Sequence, residues 1–240
     1  MPPSNKHWKF ENEDITTLKR WDQQCRHSLA NVKNIIPELD TNKKLTVIDI
    51  GGNTGTFVEM LIEDTPYSFD RIVMFEPVPL YARWASLKFC RLSEDPKVEV
   101  LEFALSDEEN THKIAINKHS ERDFNLGWNT MVEKWQEEES SNIIPIQSYV
   151  FDDIYDNLNI EKIDLIKIDV EGYETKVLKG MTKTLERLGN KPPIIIEIAN
   201  GSRHHDIEAL EVELSKLKKI GYAFDDKSNW PSRTFDLLMN

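Results

Sequence analysis

The chain has 240 residues, 39% of them apolar and 30% charged, with 42 acidic side chains against 30 Lys and Arg. The net charge of −12 argues against broad capture of nucleic acid, because phosphate backbones are read by clustered Lys and Arg. No run approaches the roughly 18 apolar residues of a membrane helix, so no integral membrane segment is expected, and the polar N-terminus lacks the apolar core of a secretion signal.

Residues 1–13 read as a polar lead-in. Ile15, Leu18, Trp21, Cys25, Leu29, Val32 and Ile36 recur at steps of three and four, which predicts a helix with one apolar stripe. Asp14 is the expected cap, and Pro37 with the Asp40-Thr41-Asn42 turn the expected end. Residues 1–44 are therefore expected as a helical extension packed on a main domain at 45–240, with partner binding as the alternative. Cys25 and Cys90 are the only cysteines. They are too few for a tetrahedral cysteine site or a disulfide framework, and read as reduced thiols of a cytoplasmic protein.

Leu45 to Ile50 is a short β-branched run, as expected of a strand covered on both faces. A glycine turn at 51–55 leads into a helix from Thr56 to Ile62. A strand at Arg71–Phe75 follows, then a helix through Leu80, Trp84, Leu87 and Leu92, and a third strand at Val98–Ala104. Further strands are expected at Ile163–Ile168 and Ile194–Ile198, with helices at Tyr173–Leu188 and His205–Ile220. Tyr222–Phe224 and Thr234–Met239 read as a closing antiparallel pair. Strands alternating with helices indicate an α/β fold with a largely parallel sheet. Residues 111–150 break the alternation: two strand-like runs, Lys113–Ile116 and Ile143–Val150, flank a segment too long for an ordinary connection. It is expected to be a surface arm or a lid.

The densest signal is Asp49-Ile50-Gly51-Gly52-Asn53-Thr54-Gly55. Glycines allow close approach of a ligand and positive φ, and the helix start adds unpaired N–H groups. The turn has no Gly-Lys-Ser/Thr ending, so a nucleoside triphosphate loop is a poor match. The glycine spacing also fits a nicotinamide dinucleotide turn poorly. Glu76, just past the second strand, can accept both hydroxyls of a ribose. Asp107, past the third, could approach an adenine amino group. Three acidic groups at this edge suit a cofactor without phosphates, and capping of strand ends is the plainer alternative.

The pieces VIDIGGNTG (47–55), FEPVP (75–79), ALSD (104–107), IKIDVEGYE (166–174) and VLKG (177–180) stand in order. Together they resemble the FkbM family of S-adenosylmethionine-dependent methyltransferases. The resemblance implies a Rossmann-like class I methyltransferase fold, with a seven-stranded, mostly parallel sheet, helices on both faces and an antiparallel last strand. It implies that Gly51, Asn53 and Gly55 lie against the methionine part of S-adenosylmethionine with Asp49 close by, that Glu76 binds the ribose, and that Ser106 and Asp107 approach the adenine. Gly52, Thr56 and Pro77 are expected at the cofactor as well. O-methylation of a sugar or glycan hydroxyl is the implied chemistry. A small-molecule or lipid-linked acceptor and a non-catalytic interaction module are the alternatives. Gly52 stands where alanine is common in the family, and Val150-Phe151-Asp152-Asp153 where Thr-Leu-Asp-Asp is usual.

Methyl transfer from a sulfonium needs an aligned acceptor oxygen and somewhere for its proton to go. Asp169 and Glu171 follow the fourth predicted parallel strand and Glu197 lies near the end of the fifth, with His204 and His205 shortly after. Asp169 with His204 or His205 is expected to deprotonate the acceptor, oriented by Glu197. Lys167 leaves the same strand face as Asp169 and either balances its charge or packs under a helix. Asp169 is also expected at the cofactor. Asp169, Glu197 and His204 could instead hold Mg²⁺ or Mn²⁺. Phe124, Trp128 and Trp135 could stack on a sugar or pack a lid. The oligomeric state is left open.

Overall fold

The computed structural model describes residues 12–34, 36–90, 96–116, 126–127, 129–132, 142–199, 206–225 and 234–240. His204, His205, Phe124, Trp128 and Trp135 lie outside the described residues.

Six strands form the main sheet: β1 (Lys44–Ile50), β2 (Ser68–Phe75), β3 (Lys97–Leu101), β7 (Leu165–Ile168), β8 (Ile194–Ala199) and β9 (Thr234–Met239), in the order β3-β2-β1-β7-β8-β9. All neighbours are parallel except β8 and β9, which run antiparallel. β4 (Ala104–Ser106), β5 (Asn110–Ile116) and β6 (Asn142–Val150) make a second sheet in the order β4-β6-β5. This is the expected Rossmann-like α/β architecture, with two changes. The expected third strand at 98–104 is two strands in two sheets. Phe103 turns its N–H back onto the Leu101 carbonyl at 3.0 Å, so the ladder breaks at Glu102. The expected closing pair is also different: β9 pairs along β8, while Ala223 and Asn240 exchange backbone hydrogen bonds of 2.6 and 3.0 Å. Tyr222–Phe224 is thus a single rung, and among the described residues the main sheet has six strands.

The strands are apolar on both faces because helices cover both. On one face, Ile48, Ile50, Ile166, Ile168, Ile194 and Ile196 pack with α5 (Glu174–Arg187) and α6 (Ile207–Lys219). Val177, Leu178, Met181 and Leu185 of α5 are at most 1% exposed, each stabilising the docking by about 1.5–3 kcal/mol. On the other face, Val47, Ile72, Met74, Leu165 and Ile195 meet α2 (Thr56–Asp64) and α3 (Pro79–Phe89). α4 (Phe151–Ile154) is a short turn after β6.

The first helix, α1 (Asn12–Lys33), starts before Asp14, which therefore stands inside its first turn and is not its cap. Leu18 and Trp21 are buried in a third cluster with Val78, Tyr81, Ile114 and Leu126. No helix among the described residues is long and apolar enough to cross a membrane.

Candidate active site

Period-two alternation places the charged side chains. On the face toward α2, the inward row of each strand turns from apolar to charged toward the carboxyl edge: Val47 then Asp49, Leu165 then Lys167, Ile195 then Glu197. Asp49 is paired in register with Lys167, and Glu197 with Asp236 of β9. A carboxylate-rich floor therefore forms at the carboxyl edge of the sheet, where ligands bind in folds of this kind.

Two cavities open at this edge. The first, of about 530 Å³, runs over Phe75, Glu76, Pro77, Ala104 and Leu105 toward Tyr173. The second, of about 720 Å³, is walled by Cys25, Asp49, Lys167, Glu197 and Asp236, with Thr56 and Phe57. They share three residues: Gly51, Asn53 and Asp169.

The glycine turn is set by its neighbours. The N–H groups of Gly51 and Gly52 both donate to the Phe75 carbonyl, at 2.9 and 3.1 Å. Gly51 has φ +82, and a Cβ there would lie 1.9 Å from the Asp169 carbonyl oxygen. Asn53, with φ +49, donates its N–H to Glu76 Oε2 at 2.8 Å, while Glu76 Oε1 accepts from Val78 N–H at 2.7 Å. Burial raises the Glu76 carboxyl to about 7 against these hydrogen bonds. Each of its oxygens keeps acceptor capacity for a further donor. Asp49 is 1% exposed, and its Oδ2 has no hydrogen-bond partner. Burial raises it to about 7, partly countered by the Lys167 charge.

Beyond the turn, Lys167 Nζ donates to Asp169 Oδ2 at 2.8 Å and lies 3.8 Å from Asp236. The lysine side chain is 3% exposed, so charge pairing, rather than packing of its stem alone, is what the fold uses. Asp169, Glu171 and Glu197 bring carboxylate oxygens within 4.8 Å of one another. Glu197 is raised, first by the Asp169 charge and then by burial, and Glu171 by burial and then Asp169. Glu171 does not cap the next helix. Tyr173 stands at the N-cap, and Glu174, the first helical residue, ties the preceding turn by accepting from Val170 N–H and Gly172 N–H at 3.1 and 3.3 Å. Glu171 itself, at φ +51, lines the first cavity.

Other expected residues fall elsewhere. Asp107 does not line either cavity; Lys176 and Lys179 hold it at 3.0 and 2.5 Å. Ser106 is fully buried behind it. Their place on the wall is taken by Ala104 and Leu105. Gly55, at φ +79, backs onto the Phe89 ring and serves the turn's conformation. Thr56 sits on the second cavity, bonded to Asp22 at 3.0 Å. Asn129, Asp236 and Cys25 complete the walls without having been singled out as site residues in the sequence.

A model of the methyltransferase FkbM domain matches residues 49–224, well over half of the chain. The chain belongs to the FkbM methyltransferase family. The family model describes the matched region as a methyltransferase domain. Among solved structures, the FkbM methyltransferase of Methylobacillus flagellatus KT aligns with a TM-score of 0.55 at 16% identity, over 95% of this chain and 58% of that one. This FkbM-family chain therefore spans less than two thirds of that protein. Aeropyrum pernix fibrillarin with natively bound S-adenosylmethionine aligns with a TM-score of 0.51 at 12% identity, over 90% and 74% of the two chains. At these identities the likeness is one of fold. Among curated proteins no sequence match is found.

Proposed function

We propose that this methyltransferase methylates a hydroxyl of a sugar or glycan, with the first cavity holding the adenosyl end of S-adenosylmethionine and the second receiving the acceptor. The carrying observation is that the two cavities meet at Gly51, Asn53 and Asp169, with the carboxylates on the far side. The residues suit the cofactor: Glu76, on the wall of the first cavity, offers two oxygens to a ribose, and the buried Asp49 Oδ2, beside the turn, has no hydrogen-bond partner of its own. Bound S-adenosylmethionine supplies an electrophilic methyl group. The chain's own residues do the rest. Asp169, held by Lys167 at 2.8 Å, aligns an acceptor hydroxyl and takes its proton. Glu197, which the Asp169 charge and burial raise to about 9, keeps its own proton near neutral pH and orients the acceptor as a hydrogen-bond donor. The acidic floor repels phosphate and carboxylate acceptors and leaves neutral polyhydroxyl ones favoured. The proposed histidine bases, His204 and His205, belong to the residues outside the description. Cytoplasmic placement is proposed on the two free thiols, Cys25 and Cys90.

A second reading gives the carboxylates a Mg²⁺ or Mn²⁺ ion, favoured by the convergence of Asp169, Glu171 and Glu197. It replaces the expected His204 with Glu171.

The test is methyl transfer from labelled S-adenosylmethionine to deoxyhexose, hexose and uronic-acid glycosides, with and without stringent chelation. O-methylated neutral glycosides are expected. Labelling only of lipid-linked or amine acceptors would overturn the sugar reading, and activity that survives chelation would overturn the metal.

A further inference from the structure

We propose that α1 is part of the cofactor site, and that Trp21 is a positioning residue acting through Asn53. The proposal rests on the reading above that Asn53 faces the cofactor. The family match begins at residue 49, so α1 lies outside it. Yet Trp21 Nε1–H donates to Asn53 Oδ1 at 3.1 Å, and Thr54 N–H donates to the same oxygen at 2.8 Å. An indole nitrogen and a backbone N–H can only donate. Two donors on one side of the amide fix its orientation, with the oxygen toward α1 and the nitrogen toward the Leu126 carbonyl at 3.1 Å. The same residue's backbone N–H holds Glu76. Asn53 thus joins the helix, the glycine turn, the candidate ribose carboxylate and residue 126, while lining both cavities.

Asp22 makes a second grip. It accepts from Thr56 Oγ1 at 3.0 Å and from Trp84 Nε1 at 2.9 Å, and pairs with Lys88 at 2.9 Å. Trp21 is 8% exposed and the Asp22 side chain 14%, so water competes weakly for these bonds. One turn of α1 sets Asn53, which both cavities share, and Thr56, which lines the second.

Two experiments test this. In the first, S-adenosylmethionine affinity is measured by calorimetry for Trp21→Phe, Asn53→Ala and the double variant. Phenylalanine keeps one ring, loses the donor and leaves a small cavity, whose effect on folding is read separately by thermal melting. Loss of about one hydrogen bond predicts roughly fivefold weaker binding. If Trp21 works through Asn53, the double variant binds no more than about twofold more weakly than Asn53→Ala alone. Unchanged binding by Trp21→Phe, or losses that multiply, would overturn the proposal. The second experiment uses the wild-type chain. Coupling is reciprocal, so S-adenosylmethionine must slow amide exchange over residues 14–26, and Asn53→Ala must abolish that slowing. Unchanged exchange in α1 overturns the proposal even if Trp21→Phe does not fold. A wild-type chain that binds no S-adenosylmethionine would overturn the underlying reading, and this one with it.

Discussion

Replacing Gly51 by alanine tests the geometry on which the site depends. At φ +82 a non-glycine residue costs about 1–2 kcal/mol. The added Cβ would also stand 1.9 Å from the Asp169 carbonyl oxygen and 2.8 Å from its carbon, so the β7 end must retreat by about an ångström before the contact is tolerable. That retreat pulls on the 3.0 Å hydrogen bond from Asp169 N–H to the Ile50 carbonyl, which contributes about 1 kcal/mol. Together the change removes at least about 2–3 kcal/mol of stability. It also displaces Asp169, and a shift of that size in a reacting group lowers turnover about a hundredfold. Thermal melting, S-adenosylmethionine calorimetry and single-turnover methylation measure the three effects. Gly189→Ala is the control. A Cβ there would meet nothing within 4 Å, and we expect that variant to keep stability, cofactor binding and turnover. A Gly51→Ala chain with affinity and turnover within threefold of wild type would refute the reasoning.

Glu76→Gln leaves one acceptor atom for two backbone donors at 2.7 and 2.8 Å. One buried N–H is orphaned, which lowers stability by about 1–3 kcal/mol. The ribose also loses a hydrogen bond to a charged acceptor, worth about 1.5–3 kcal/mol, so cofactor affinity should fall roughly tenfold to a hundredfold; calorimetry reading a loss under twofold would exclude the ribose role. Asp107→Asn should leave that affinity unchanged, since Lys176 and Lys179 occupy its carboxylate; the lysines are about half exposed, so melting should shift little. The cofactor-free protein should lose stability as pH rises. Asp49, Glu76 and Glu174 are raised by burial to about 7, above their unfolded values. The folded state therefore binds more protons between about pH 4 and 7, and the stability this gives at low pH is lost through that window. Melting scans at pH 5 and pH 8 check the sign; equal midpoints would show that these carboxyls ionise normally. Asp169→Asn should lower single-turnover methylation at least a hundredfold, and a smaller loss would move the base elsewhere.

Much of the fold was legible because local chemistry and tertiary structure agree. The β-branched runs at 45–50, 163–168 and 194–198 became central strands. The glycine turn needed its glycine at 51 for a reason visible only as a pattern in the sequence: the Asp169 backbone fills the space. Gly180 of VLKG has a similar cause, for a Cβ there would lie 2.0 Å from the Ser106 carbonyl oxygen. Lys167 and Asp169 were legible as a pair because strand alternation puts both on one face. Asp236 was not, since its place depends on the β8–β9 register, which no short motif encodes. The two lysines on Asp107 were not legible, because an acidic residue after a strand looks alike whether a ligand or two lysines hold it. The stripe of α1 showed that it would pack, but Trp21 and Asp22 reach the turn across 32 and 34 residues of chain, beyond what periodicity reports.

The narrow overlap of the two cavities has a consequence for divergence. Only Gly51, Asn53 and Asp169 belong to both walls. Cys25, Phe57 and Asp236 touch the second alone, and come from a helix, a helix start and an edge strand. On the proposed assignment of the two cavities, substitutions there reshape which molecule is accepted and leave the first cavity's own wall unchanged. A directed library confined to those three positions is the economical route to new acceptor preferences on this scaffold.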